Sequence, residues 1–333
     1  METVRNGCED NLLEIRGLSV EFPLFNGTIH AVNHVDFTVP RYSVTARVGE
    51  SGSGKSTMAS AILNMVSTPG RITEGEILVN GKDILAMDKK QLRTYKWDTV
   101  AMVFQAAQNS LNPLFTIREQ MLETIRVHRE NMAAEEAEKL CVKLLEYVRL
   151  DAARVLGCYP HELSGGMKQR VMIAFSMLLS PQMIILDEPS TALDVITQDY
   201  IFDILAKIHE EMNLTMLLLT HDIAIVAKVA ERMCVMYAGD IVESGDVYTI
   251  FQHPSHPYTK ELIGAAPSLL GGLEERTGSD GSPPDLIHLP QGCAFYPRCK
   301  TPLPQCQTQK PPCVDLGNGH CIKCHRYAKE GTV

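Results

Sequence analysis

The stretch "GESGSGKST", Gly49 to Thr57, decides the fold. It satisfies the spacing G-x-x-x-x-G-K-[ST], comes after the short apolar run "SVTARV" and leads into an apolar segment beginning near Lys55. Gly49, Gly52 and Gly54 let the backbone curl tightly enough to aim successive N–H groups at phosphate oxygens. The helix after the loop adds its positive N-terminal end. Lys55 is then placed to neutralise β- and γ-phosphates, and the Ser56 hydroxyl to ligate Mg²⁺. Ser51, Ser53 and Thr57 complete the cradle. An ordinary Gly/Ser turn would require neither the lysine nor the strand–loop–helix context.

Around this loop the pattern is mixed α/β. Upstream, "LLEIRGLSVEF" and "HAVNHVDFTVP" alternate apolar and polar residues, as half-buried antiparallel strands do. Downstream, residues 114–180 read as helical: Leu140, Leu144 and Val148 recur every four positions with charges on the other faces. "MIILDEP" and "LTMLLLTHD" are short continuous apolar runs, the signature of buried parallel strands, and "MCVMYAGDIVESG" reads as a late hairpin. "MIILDEP" sets Asp187 and Glu188 at a buried strand end, where adjacent carboxylates are costly unless a cation or substrate uses them. Asp187 fits a Mg²⁺ shell, and Glu188 fits a group that orients and deprotonates an attacking water. In "LSGGMKQR", Leu163 to Arg170, the glycines at a helix start make a second anion-binding N-terminus.

The 333 residues carry a net charge of -9, which argues against broad, non-specific nucleic-acid binding. The N-terminal "METVRNGCEDNLLEIRG" lacks the apolar core of a secretory signal, and no stretch approaches the ~20 apolar residues of a spanning helix. The chain is therefore expected in the cytosol, meeting any membrane through a partner. After residue 250 the texture changes: residues 271–333 hold eight of the 18 prolines and eight of the 23 glycines. "GGLEERTGSDGSPPD" reads as a mobile surface loop. The remainder of the C-terminal region is too poor in apolar residues to fold on packing alone and calls for a staple.

Taken in order, "GESGSGKST", "LSGGMKQR", "MIILDEPSTALD" and "LTHD" resemble the nucleotide-binding subunit of an ABC transporter, over nearly the whole chain. "MVFQAAQNSLNP", "VMYAGDIVESG" and "HPSHPYTKEL" narrow the likeness to the ATPase subunits of dipeptide and oligopeptide importers, a family that also handles nickel, opines and some oligosaccharides. The resemblance implies an α/β fold: a P-loop NTPase (RecA-like) core with an antiparallel β subdomain and an α-helical signature subdomain near 112–180. The nucleotide-binding domain would span 11–250. Residues 251–333 would form a small irregular extension with a Cys-rich, metal-binding region at 290–326.

The resemblance also assigns roles. Gln105 would reach Mg²⁺ and the attacking water, and His221 the γ-phosphate. Phe22, or alternatively Phe25, would stack on adenine. Ser164, Gly165, Gly166 and Gln169 would face the ATP held by a second ATPase chain, with Asp194 touching the opposite site. One copy of each motif means one half of a dimer, expected as a heterodimer. Two membrane permease subunits and an extracytoplasmic substrate-binding protein would complete an importer of di- or oligopeptides, with this chain peripheral at the cytoplasmic face. Soluble ABC ATPases that act on ribosomes or DNA usually carry two cassettes or a long coiled coil, and this sequence has neither. Two positions depart from the family pattern: Arg47, where an apolar residue is usual, must find a partner or snorkel outward, and Leu186 replaces an alanine conservatively.

Six of the ten cysteines lie between Cys293 and Cys324. Disulfides are rare in the cytosol, whereas soft thiolates suit both zinc and a [4Fe–4S] cluster. The family's "GC-x5-C-x6-C … CH" maps onto Cys293, Cys299, Cys306 and Cys324, with Cys313 or Cys321 as substitutes for the fourth ligand. The resemblance favours iron–sulfur over zinc.

Overall fold

The computed structural model describes residues 10–105, 110–191, 193–265 and 284–328. Most of the stretch read as a mobile loop, 271–283, lies outside the described residues. In chain order the elements are β1 (Asn11–Leu24), β2 (Gly27–Pro40), β3 (Val44–Val48), α1 (Lys55–Ile62), β4 (Arg71–Val79), β5 (Lys82–Asp83), α2 (Lys89–Asp98), β6 (Val100–Val103), α3 (Ile117–His128), α4 (Ala134–Tyr147), α5 (Ala152–Val155), α6 (Gly165–Ser176), β7 (Met183–Asp187), α7 (Val195–Met212), β8 (Thr215–Thr220), α8 (Ile223–Val229), β9 (Arg232–Tyr237), β10 (Asp240–Asp246), α9 (Val247–Gln252), α10 (Pro257–Ala265), β11 (Cys313–Asp315) and β12 (Cys321–Lys323). They fall into two compact units, Met1–Ala86 with Thr220–Val333, and Met87–Leu219.

In the first unit, β2, β1, β4 and β5 form an antiparallel sheet. The alternation of β1 breaks at Gly17, whose φ of 57° makes a bulge, so that Ile15 and Leu18 both face the core. The same unit holds β3 parallel to β9, then β10, β12 and β11 in antiparallel succession. β9 turns into β10 through Ala238 and Gly239, at φ 49° and 81°; positive φ at both central residues suits the twist of a two-residue hairpin. Arg47 does not snorkel: it is fully buried on β3, with Nη2 2.7 Å from Met236 Sδ and the guanidinium 5.8 Å from the Phe37 ring centre.

The Cys-rich extension is less irregular than its composition suggests. β12 pairs with β10 through Glu243↔Ile322 and Ser244↔Cys321, and Phe295 is buried in the cluster formed by Val235, Tyr237 and Tyr258. Phe295 and Ile322, with Leu286, Leu289 and Ala294 packed against the same cluster as Phe295, therefore dock the extension onto the core of the first unit.

In the second unit, β6, β7 and β8 run parallel. β7 and β8 are buried along their whole length, as their unbroken apolar runs require. The segment read as helical contains α3 to α6. α3 opens on a reciprocal Thr116–Glu119 capping box, and α4 buries Ala137, Cys141, Leu144 and Leu145 on one stripe. Among the described residues no helix is long and apolar enough to cross a membrane.

Candidate functional site

The phosphate loop lies between the fully buried strand β3 and α1. Gly54, at φ 99°, is the N-cap of α1 and offers no side-chain cap, so no side chain at that position competes with an anion for the helix start. A Cβ on Gly54 would stand 2.2 Å from the Ala31 carbonyl oxygen, and one on Gly49 2.2 Å from that of Met236. Both glycines are thus required by close backbone approach as well as by conformation. Lys55 is buried, with Nζ 2.7 Å from the Gly49 carbonyl and 3.0 Å from that of Glu50. Ser53 Oγ is buried without a hydrogen-bonding partner among the described residues, an orphan suited to a phosphate oxygen. Ser51 and Ser56 are exposed, and Thr57 is half-buried. These features fit a nucleotide triphosphate.

Two further candidates belong to the first unit. His221 is exposed in the turn after β8, beside Asp222, which caps α8 and whose N–H donates to Thr220 Oγ1 at 3.0 Å. Phe22 is half-buried against Gly70, whose added Cβ would meet the ring at 2.4 Å; Phe25 is fully exposed at the β1–β2 turn.

In the second unit, Val103 of β6 is level with Leu186 of β7. Gln105 and Glu188 each lie two residues further on, so both emerge at the carboxyl edge of adjacent parallel strands. Asp187 is buried, and Glu188 is half-buried at φ 49°, its N–H donating to the Leu219 carbonyl at 2.9 Å. A left-handed glutamate is uncommon and marks a sharply turned strand end. Ser164 caps α6, its Oγ accepting from Met167 N–H at 3.3 Å, with Gly165 and Gly166 half-buried behind it and Gln169 buried. A Cβ on Gly166 would lie 2.6 Å from Thr197 Cγ2. Thr197 in turn donates its N–H and hydroxyl to Asp194, at 2.9 and 2.7 Å, and these bonds hold the Asp194 carboxyl below the usual range. The signature tip and Asp194 are therefore neighbours.

Cys293 lies within electrostatic reach of Cys306, Cys324 and Cys299, and Cys324 of Cys306 and Cys299. These thiols do not close into a ligand set: among the described residues no three His, Cys, Asp or Glu side chains are close enough to hold a metal ion. Burial pushes the Cys293 thiol up to about 11, and neutral thiols attract one another only weakly. Cys313 and Cys321 instead face each other diagonally across β11 and β12, within hydrogen-bonding reach. His325 Nε2 lies 2.9 Å from the Gln309 carbonyl; since a carbonyl only accepts, Nε2 carries the proton in that contact.

Sequence reading missed Glu50, Tyr258 and Arg298. Glu50 fills a variable position of the loop motif, Tyr258 lies in "HPSHPYTKEL", and Arg298 precedes Cys299; nothing in the spacing links them. Yet Arg298 reaches Glu50 with both terminal nitrogens, at 2.8 and 2.9 Å.

A strand–cradle–helix with an uncapped helix start, a carboxylate pair at a parallel-strand edge and a glycine-tipped signature helix define an ATP-binding cassette. Residues 32–191 match the family model for ABC transporters, and residues 242–306 that for the C-terminal region of oligopeptide/dipeptide transporters. The chain is 38% identical over 316 residues to the dipeptide transport ATP-binding protein DppD of Caldanaerobacter subterraneus, covering 95% of this chain and 97% of that one. It is 39% identical to the oligopeptide transport ATP-binding protein OppD of Haemophilus influenzae, covering 96% and 98%. The dimeric ATP-binding cassette MJ0796, solved with ADP and Pi, superposes with a TM-score of 0.62 at 30% identity, over 71% of this chain and 98% of that one. The chain belongs to the ATP-binding subunits of ABC transporters, in their dipeptide and oligopeptide branch; such subunits are ATPases.

Proposed function

We propose that this chain binds and hydrolyses ATP to power uptake of di- or oligopeptides through partner membrane subunits. The observation that carries the reading is end-to-end likeness to peptide-transport ATP-binding proteins, joined to a cradle in which Gly49 and Gly54 leave no room for a Cβ. The division of labour runs along the chain: residues 11–250 handle nucleotide and 251–333 form the extension. Lys55 and the loop amides neutralise the β- and γ-phosphates. Ser56, Gln105 and Asp187 would hold Mg²⁺, which when bound screens charge on the phosphates. Glu188 takes the proton of the attacking water, His221 contacts the γ-phosphate, and Phe22 stacks on adenine.

The signature tip of Ser164, Gly165, Gly166 and Gln169, with Asp194 beside it, serves the ATP of a second ATPase subunit, in a heterodimer as the family resemblance implies. Val195 and Ile196, 78% and 84% exposed next to Asp194, favour such an interface. ATP that bridges two chains closes the dimer, and hydrolysis releases it. The assembly would dock at the cytoplasmic face of the membrane with two permeases and an extracytoplasmic binding protein. The test is reconstitution: the complex captured through this chain, placed in proteoliposomes, should take up labelled di- or oligopeptides only with ATP. Capture of no permease, or uptake indifferent to ATP, contradicts the reading.

The extension is proposed to bind a [4Fe–4S] cluster through Cys293, Cys299, Cys306 and Cys324, with zinc as the alternative. Support comes from the spacing Cys293-x5-Cys299-x6-Cys306 with Cys324 before His325, the frame of the resembling family. A bound cluster would supply folding free energy to a segment with few apolar residues. Protein purified anaerobically should be brown and lose its iron in Cys293→Ser but not in Cys313→Ser; colourless protein with stoichiometric zinc contradicts the cluster.

A further inference from the structure

Glu50, the second residue of the phosphate loop, is fixed by several parts of its own unit. Its N–H donates to Tyr258 Oη at 2.9 Å, and its carbonyl accepts from Lys55 Nζ at 3.0 Å and from the Ser53 N–H at 3.2 Å. Its carboxylate takes a two-point pair from Arg298. Arg298 is carried by the Cys-rich extension, 248 residues away in sequence, and its side chain is only 6% exposed. Its guanidinium also reaches Tyr237 Oη at 3.4 Å and lies over the rings of Tyr237 and Phe295, each centre 5.6 Å away. A planar fork held by two bonds and two rings has little freedom, so the plane of the Glu50 carboxylate is set by the extension.

Two consequences bear on nucleotide binding. The Glu50 peptide forms part of the cradle, and the Lys55 ammonium rests on the carbonyls of Gly49 and Glu50, so a rotation of Glu50 displaces the lysine that meets the phosphates. In addition, Glu50 puts a negative charge in the loop that must receive a polyanion. Arg298, itself nearly buried, cancels that charge at a carboxylate that is half-buried.

We propose that Arg298 is a positioning residue for ATP: through its pair with Glu50 the Cys-rich extension braces the phosphate loop, so that nucleotide affinity depends on the extension. This rests on the reading of Gly49–Thr57 as the ATP cradle. The experiment titrates the full-length chain with a fluorescent N-methylanthraniloyl-ATP and tracks thermal unfolding of each variant alongside. Lys55→Ala tests the cradle itself; if it leaves affinity unchanged, the underlying reading fails. With Lys55→Ala weakened as expected, Arg298→Ala should raise Kd about tenfold, equivalent to about 1.4 kcal/mol. Glu50→Gln alone should raise it less than threefold. The double variant Glu50→Gln/Arg298→Ala should bind more tightly than Arg298→Ala, because the uncompensated carboxylate is gone. That rescue is not expected of a residue that only supports packing. A Kd for Arg298→Ala within twofold of the parent, or losses that simply add in the double variant, overturns the proposal. Should Arg298→Ala fail to fold, Arg298→Lys carries the test: it keeps the charge and gives up the fork, and an unchanged Kd then overturns the proposal while a rise of about threefold supports it.

Discussion

Phe295→Ala tests how firmly the extension is built into the first unit. The ring is 1% exposed. It meets Tyr237 edge-on at 5.2 Å between centres, and Tyr258 and His256 at 5.5 and 5.8 Å. Truncating a core phenylalanine costs about 3–5 kcal/mol, of which the lost aromatic pairs account for roughly 0.5–1.5 kcal/mol each. The cavity should persist, because Tyr237 is held in β9 and Tyr258 in α10 and neither can collapse inward without breaking its element. At about 2–4 °C per kcal/mol, a loss of ~4 kcal/mol lowers the Tm by roughly 8–16 °C. The assay is differential scanning calorimetry of the full chain, with Phe295→Leu as a milder companion that keeps part of the volume. A fall in Tm of less than about 3 °C for Phe295→Ala would mean that the extension rests on the core without sharing it, and the packing described above would be wrong.

Gly54→Ala should abolish binding of fluorescent ATP at concentrations that saturate the parent, because its Cβ would stand 2.2 Å from the Ala31 carbonyl oxygen at a φ of 99°; fluorescence titration checks this. His256 introduces a pH dependence. Burial pushes this ring down to about 3 from the ordinary 6.5, so between those values the unfolded chain takes up a proton that the folded chain refuses. The stability linked to the neutral ring is complete above pH 6.5 and is lost as pH falls toward 3, at about 1.4 kcal/mol per pH unit. Urea midpoints measured at pH 7.5 and 5 should differ less in His256→Asn than in the parent.

The sequence was most informative where chemistry forces a local pattern. Glycine at Gly49 and Gly54 is required by close backbone contacts, and the motif spacing encodes them. The unbroken apolar runs around Ile185 and Leu217 give buried parallel strands, and the four-residue recurrence ending at Val148 gives α4. The extension was harder. Phe295 lies among prolines, cysteines and a few scattered apolar residues, so composition describes a tail without a core of its own, although the ring joins a core that includes β9 and α10. The Glu50–Arg298 pair was illegible for the same reason: it is a long-range contact between a variable motif position and a residue whose only distinction is standing before Cys299. The cysteine spacing named four ligands that do not close into a metal site among the described residues, and the facing of Cys313 and Cys321 depends on the register of β11 and β12, which spacing does not encode.

At the centre of the mechanism stands Glu188 as the group that activates water for ATP hydrolysis. It is tested most directly by steady-state ATP hydrolysis of the assembled complex carrying Glu188→Gln, with fluorescent-ATP binding measured in the same preparation. Turnover should fall at least ~100-fold below the parent with binding unchanged, the range expected for loss of a general base. Turnover at the parental rate would remove Glu188 from that role.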